Sequence, residues 1–196
     1  AQIHNKLTRQ LEQMEDLLTS NVFGLWRYLS ADLGLTQFLG TAHNLDEQLL
    51  PLPSPITEAK LDFWPWLQEP GGKGAEPDVL IRLVGSDGQK WLVLIESKYL
   101  SGKSSHPNHE DSPNDQLAKE MLNLRSIAER DSIDRFALVY VTAHGTLPRK
   151  DIEEASAELK EKTGDGSIEQ FYWTTWRRVP EILDEVALLT KSAGER

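Results

Sequence analysis

A mixed α/β fold is predicted for this chain of 196 residues, with helices first and a central mixed sheet after them. Three observations predict it. Apolar positions recur at helical spacing through residues 1–50, a proline-rich break follows, and beyond it the apolar period becomes that of strands interleaved with helices.

Ile3, Leu7, Leu11, Met14 and Leu18 follow one another at intervals of three or four residues, the spacing of one helix face, so a first helix is expected to end near Ser20-Asn21. Val22, Trp26, Leu29 and Leu33 carry a second stripe as far as Gly34, and Thr36 is placed to cap a third helical stretch toward Leu50. Pro51-Leu52-Pro53-Ser54-Pro55 then removes backbone donors and fixes φ, which stops the pattern. Residues 1–50 therefore read as a helical extension and residues 56–190 as the core of one domain.

Strand-like alternation marks residues 61–67, 78–84 and 90–99. Gly71-Gly72-Lys73-Gly74 and Gly85-Ser86-Asp87-Gly88 separate them as turns, the second short enough for a hairpin. A polar stretch over residues 101–112 leads to a helix with Leu117, Met121, Leu124 and Ala128 on one side. Residues 136–142 form a strongly apolar strand, Ile152, Ala155 and Leu159 mark another helix, residues 168–173 another strand, and residues 179–189 a last helix with Pro180 in its first turn. The order is helices, then βββαβαβα.

With 21 Lys plus Arg against 31 Asp plus Glu, the net charge is −10, which excludes a protein that holds nucleic acid by bulk positive charge and leaves room for a local basic groove. The chain contains no cysteine, so disulfides, thiolate zinc sites, iron–sulfur clusters and a cysteine nucleophile are excluded. Its apolar runs, such as residues 91–95 and 136–141, are strand-length, far below the roughly 20 residues of a membrane-spanning helix. No h-region of a signal peptide opens the sequence, so no membrane association and a cytoplasmic location are the default expectations.

The strand over residues 90–99 is apolar on both faces up to Ile95, as a strand in the middle of a sheet must be, yet it ends in Glu96-Ser97-Lys98. Burying a charge is costly unless it is paired or holds a metal. If residues 78–84 and 90–99 form an antiparallel hairpin, Asp78 at the start of the first strand lies beside Glu96 and Lys98 at the end of the second. Two carboxylates and the backbone carbonyl of Ser97 between them offer the hard oxygen donors that Mg²⁺ or Mn²⁺ requires. A lysine beside such an ion can orient an attacking water. The plainer alternative is that Glu96 and Lys98 pair at the sheet's end while Asp78 serves the turn after Pro77.

Pro77-Asp78 followed by Glu96-Ser97-Lys98 at the end of an apolar strand resembles the PD-(D/E)XK nuclease superfamily, whose restriction-endonuclease-like core has the order αβββαβ. The resemblance spans about the middle half of the chain. It implies Asp78 and Glu96 as metal ligands and Lys98 as the catalytic lysine. Members often add an acidic residue from the first core helix or from just before the first strand, for which Glu58 and, less well placed, Glu47 are candidates. Many also carry a glutamine on the helix after the lysine, where Gln116 stands. The function implied is metal-dependent phosphodiester hydrolysis of nucleic acid, DNA being the expected substrate. The alternative is a module of the same fold that has lost its chemistry and binds nucleic acid or a protein partner.

Gly102-Lys103-Ser104 lacks the first glycine of a phosphate loop at the required spacing, and Lys103 reads equally as a phosphate contact or a solvated side chain. His106, His109, Glu110 and Asp111 suggest either a second metal site or a polar loop, the loop being favoured. Trp64 and Trp173 are expected in the core. Arg125, Arg130, Arg149, Lys150, Arg177 and Arg178 line a groove only if folding gathers them. The N-terminal helices would serve equally to pair two copies in a homodimer or to cover the sheet within one chain.

Overall fold

The computed structural model describes residues 2–68, 73–107, 113–164 and 168–194, with side chains between residues 13 and 190 of those ranges. Helix α1 (Gln2–Trp26) and the short α2 (Leu35–Leu39) precede strands β1 (Ile56–Phe63), β2 (Val79–Gly85) and β3 (Lys90–Lys98). Helix α3 (Gln116–Arg130), β4 (Arg135–Thr142), α4 (Arg149–Thr163), β5 (Phe171–Thr175) and α5 (Val179–Gly194) follow. The five strands lie side by side in chain order. The first three pair antiparallel, whereas β3, β4 and β5 run parallel, as helical crossovers require. The sheet is thus mixed, and an αβββαβ order runs from α2 through β4.

β3 stands in the middle of this sheet, buried from Trp91 to Ser97. Its alternation feeds two apolar layers. Trp91, Val93 and Ile95 pack with Phe23 and Trp26 of α1, Phe38 of α2 and Ile182 of α5. Leu92 and Leu94 pack on the opposite face with Leu117, Met121 and Leu124 of α3 and Ile152 of α4. The chain turns from β2 to β3 through Gly88, which holds φ 81°, a left-handed conformation that costs glycine little.

Several expectations change. The first two helical stripes are one continuous helix, because Ser20 does not stop it: its hydroxyl bonds back to the Leu17 carbonyl at 3.1 Å, and Asn21 faces solvent. Phe23 and Trp26 of α1 and Phe38 of α2 share one apolar layer with Val93 and Ile95 of β3, so these helices cover the sheet within one chain. The third helical stretch ends at Leu39, since His43 pairs its backbone with Trp173 of β5, and Thr36 lies inside α2 instead of capping it.

The first strand runs over Ile56–Phe63 and not over residues 61–67. Pro65 disfavours the helical region for Trp64, whose φ is 46°, and the chain leaves the sheet there. Trp64 and Trp66 are consequently exposed, against the expected core placement of Trp64, whereas Trp173 is buried as expected. Among the described residues no helix is long and apolar enough to cross a membrane.

Candidate functional site

The hairpin register Val79↔Ile95 sets Asp78, one residue before β2, against the end of β3. One oxygen of its carboxylate, Oδ2, accepts hydrogen bonds from the Ser97 amide at 2.7 Å and the Ser97 hydroxyl at 2.6 Å. Thr19 Oγ1 of α1 lies 2.8 Å from the same serine hydroxyl. Since that hydroxyl donates to Asp78, Thr19 donates to it, and the three residues form a directed chain.

The Glu96 side chain turns toward α3. Its Oε1 accepts from Gln116 Nε2 at 2.5 Å and from Lys98 Nζ at 2.7 Å. Gln116 is the first residue of α3, and its Oε1 is held by the Ser104 amide at 2.9 Å. Its amide nitrogen also reaches Glu120 Oε1, one helical turn on, at 3.2 Å. The second Glu120 oxygen is buried and has no hydrogen-bond partner.

Lys98 reaches round the end of the sheet to Glu15 Oε1 of α1 at 3.1 Å. The other Glu15 oxygen accepts from the Tyr99 amide at 2.9 Å and the Ser101 hydroxyl at 2.6 Å, closing the chain's exit from β3. Glu15 is buried, as is Thr19 one turn later.

The structure therefore brings Asp78, Glu96, Ser97, Lys98 and Gln116 to one place. Glu58 is not there: it is exposed on β1 opposite Val84, at the far end of the strand from Phe63, which pairs beside the site. Glu47 is exposed in a turn near β5, with φ 61°. Sequence reasoning missed Glu15 and Glu120. Glu15 had a signal, since positions 15, 19, 22 and 26 continue one helical stripe back from Trp26; the apolar stripe through Met14 instead leaves that side chain exposed.

Four carboxyl groups here face one ammonium. Burial raises the Asp78 carboxyl against the opposing pull of the Ser97 hydrogen bonds. Burial likewise pushes Glu96 up to about 7, against the attraction of Lys98. Burial and then the Glu96 charge hold Glu120 well above the ordinary glutamate range. Burial pushes the Lys98 ammonium down, but the Glu96 and Glu15 charges outweigh it and leave the lysine above its usual range.

Buried carboxylates in excess of their counter-charge, with one carboxyl oxygen unsatisfied, suit a further cation, and their hard oxygens suit Mg²⁺ or Mn²⁺. No three of these carboxylates lie within 4.8 Å of one another; among the described residues only His106, Asp115 and Glu154 do. That second trio already has a cation, because the buried Lys103 ammonium bonds Asp115 and lies 3.5 Å from Glu154. Lys103 is thus neither a phosphate contact nor solvated. His109, Glu110 and Asp111, expected beside His106, lie outside the described residues.

The basic residues do not gather as a set. Arg130 pairs with its neighbour Asp131 at the far end of α3, and Arg149 bonds the Leu45 carbonyl at 3.2 Å, while Arg177 and Arg178 share one cavity at the end of β5.

Comparison with family models, with curated proteins and with solved structures finds no match to this chain.

Proposed function

We propose that this chain is a divalent-metal-dependent phosphodiesterase that hydrolyses nucleic acid, DNA in the first instance, on a restriction-endonuclease-like αβββαβ core of PD-(D/E)XK type. One observation carries the reading: carboxyls from α1, the start of β2, the end of β3 and α3 meet around Lys98 in a buried cluster whose negative charge exceeds its positive charge.

Asp78, Glu96 and the Ser97 carbonyl are the groups that would hold Mg²⁺ or Mn²⁺, which supplies neutralisation of phosphodiester charge and a lowered pKa for bound water. Ser97 fixes Asp78 through both its amide and its hydroxyl, leaving Oδ1 as the open donor. Gln116 fixes the orientation of Glu96. Lys98, kept charged by Glu96 and Glu15, is the group that orients a water for in-line attack and meets developing negative charge. Glu15 positions this lysine and replaces Glu58 as the added acidic residue.

The test is cleavage of plasmid and oligonucleotide DNA in Mg²⁺ or Mn²⁺ by wild type, Asp78→Ala and Lys98→Ala. Cleavage is expected from wild type only, and equal cleavage by all three would sink the proposal. A second reading, a nuclease-fold module that binds without cutting, is favoured by the direct Lys98–Glu96 contact at 2.7 Å, which ties up one oxygen of a proposed ligand. Calorimetric titration with Mn²⁺ separates the two, since the module alone is expected to bind none.

A further inference from the structure

The parallel strands β3, β4 and β5 end together, with Lys98 paired to Thr142 and Thr142 to Thr175. Ligands of parallel sheets bind beyond the carboxyl ends of the strands, and a second feature lies there besides the Lys98 cluster. It is a cavity of about 400 Å³ at the end of β5, bounded by His43, Trp173, Thr175 and the arginines that follow.

Its polar groups are mostly donors. Arg177 gives only its Nε to a protein acceptor, the Ala143 carbonyl at 3.1 Å, and makes no ion pair among the described residues. Its Nη1 lies 3.0 Å from where a Cβ on Gly145 would stand, so the guanidinium rests against bare backbone. Thr175 Oγ1 accepts the Arg177 amide at 3.3 Å, which leaves its own proton to donate. His43 stands edge-on to Trp173, with ring centroids 5.3 Å apart, and its Nδ1 meets the Asn44 carbonyl at 3.2 Å. Arg178 is matched by Glu181 at 3.2 Å, so the cavity carries one uncompensated positive charge, that of Arg177. One positive charge with a fork of free N–H donors and a hydroxyl matches a single phosphodiester anion.

Two strand spacings of about 4.8 Å separate β5 from β3. The cavity thus lies about 10 Å from the Lys98 cluster, close enough for one nucleic-acid strand to reach both. We infer that this cavity, through Arg177, holds a backbone phosphate of the same nucleic-acid strand that the Lys98 cluster addresses, near the reacting bond. The inference rests on the proposed function and identifies the substrate as a continuous strand that crosses the ends of β3, β4 and β5.

The experiment is binding of a short fluorescein-labelled DNA duplex in EDTA, followed by anisotropy over a salt series, for wild type, Arg177→Gln, Arg177→Lys and Arg130→Gln. Arg130 provides the same loss of charge at the opposite end of the sheet. Arg177→Gln is expected to weaken binding about tenfold and to reduce the log–log salt slope by about 0.9, with Arg177→Lys recovering the slope but not the full affinity. Equal affinities and slopes for Arg177→Gln and Arg130→Gln, or no DNA binding by wild type, overturn the inference. Titration with inorganic phosphate by ³¹P line broadening separates the sources: broadening lost in Arg177→Gln without any DNA binding also overturns it, as a pocket for a free anion. Because no metal is present, these outcomes are independent of cleavage. DNA binding that depends on Arg177 stands even if the Lys98 cluster proves inert, and cleavage by wild type stands even if Arg177→Gln binds normally.

Discussion

Lys98 is half-buried and Lys103 buried, both among carboxylates and five residues apart in the chain, and they do different things. Lys103 is wholly buried and bonded to Asp115, to the Asp151 carbonyl at 3.2 Å and, more loosely, to Glu154. Asp115 in turn caps α3 by accepting the Ala118 amide, and its own amide donates to Glu158 at 2.7 Å. Glu158 also takes the Asn114 amide, so Asp115 and Glu158 both have backbone donors. Around Lys98, Glu120 keeps an oxygen without a hydrogen-bond partner, while burial raises Asp78 and Glu96 just as it raises Asp115 beside Lys103. The Lys103 pair, with backbone donors on Asp115 and Glu158, holds a loop to two helices, whereas the Lys98 cluster keeps a carboxyl oxygen without a hydrogen-bond partner, which the proposed metal site would use.

Breaking each lysine should separate these roles. Lys98→Ala is expected to cut metal-dependent cleavage by about 10³- to 10⁴-fold, measured as single-turnover rate, while the protein remains folded by circular dichroism. Lys103→Met should do the reverse, lowering the free energy of unfolding by about 3 to 5 kcal/mol in urea and leaving the rate per folded molecule unchanged. A loss of activity without loss of stability in Lys103→Met would erase the distinction.

A smaller effect sharpens it further. The folded-state pKa of Glu96 is raised from 4.5 to about 7, so in this interval the native protein binds more protons than the unfolded chain. Stability in EDTA is therefore expected to fall as pH rises from about 4.5 to about 7, with Asp78 acting in the same sense from its own lower starting point. Mn²⁺ should offset that fall, raising stability above about pH 7 by about 2.7 kcal/mol at a hundredfold excess over its Kd, and much less at the acidic end. Thermal melts with and without Mn²⁺ across this range measure both, and a Mn²⁺ effect independent of pH would contradict the assignment.

The smallest contrast is between two glutamates. Glu15→Gln should lower the cleavage rate by about tenfold, by loosening Lys98, whereas Glu58→Gln on the exposed edge should leave rate and Mn²⁺ affinity unchanged within about a factor of two.

Much of this was legible in the chain. The switch of period after Pro55, the doubly apolar β3 and the glycine turn before it define a central strand and a hairpin, and a hairpin of that length must bring Asp78 to Glu96. Gln116, at the start of the helix after β3, is likewise within reach by local geometry. These are short-range consequences of strand alternation and turn length, which the order of residues specifies directly.

Other contacts depended on how separate elements pack. Glu15 meets Lys98 across 83 residues because α1 lies over the end of β3, and no spacing rule relates the two. Lys103 looks like a loop lysine until α3 and α4 close over it, and Trp64 looks like core until the strand ends one residue before it. Sequence alone determined the mixed α/β order and the Asp78, Glu96 and Lys98 triad, because local periodicity and hydrogen-bond register propagate only over a few residues. Tertiary structure alone decided which charges are buried, which are matched and which remain in excess, because desolvation depends on everything packed around a group and not on its neighbours in the chain.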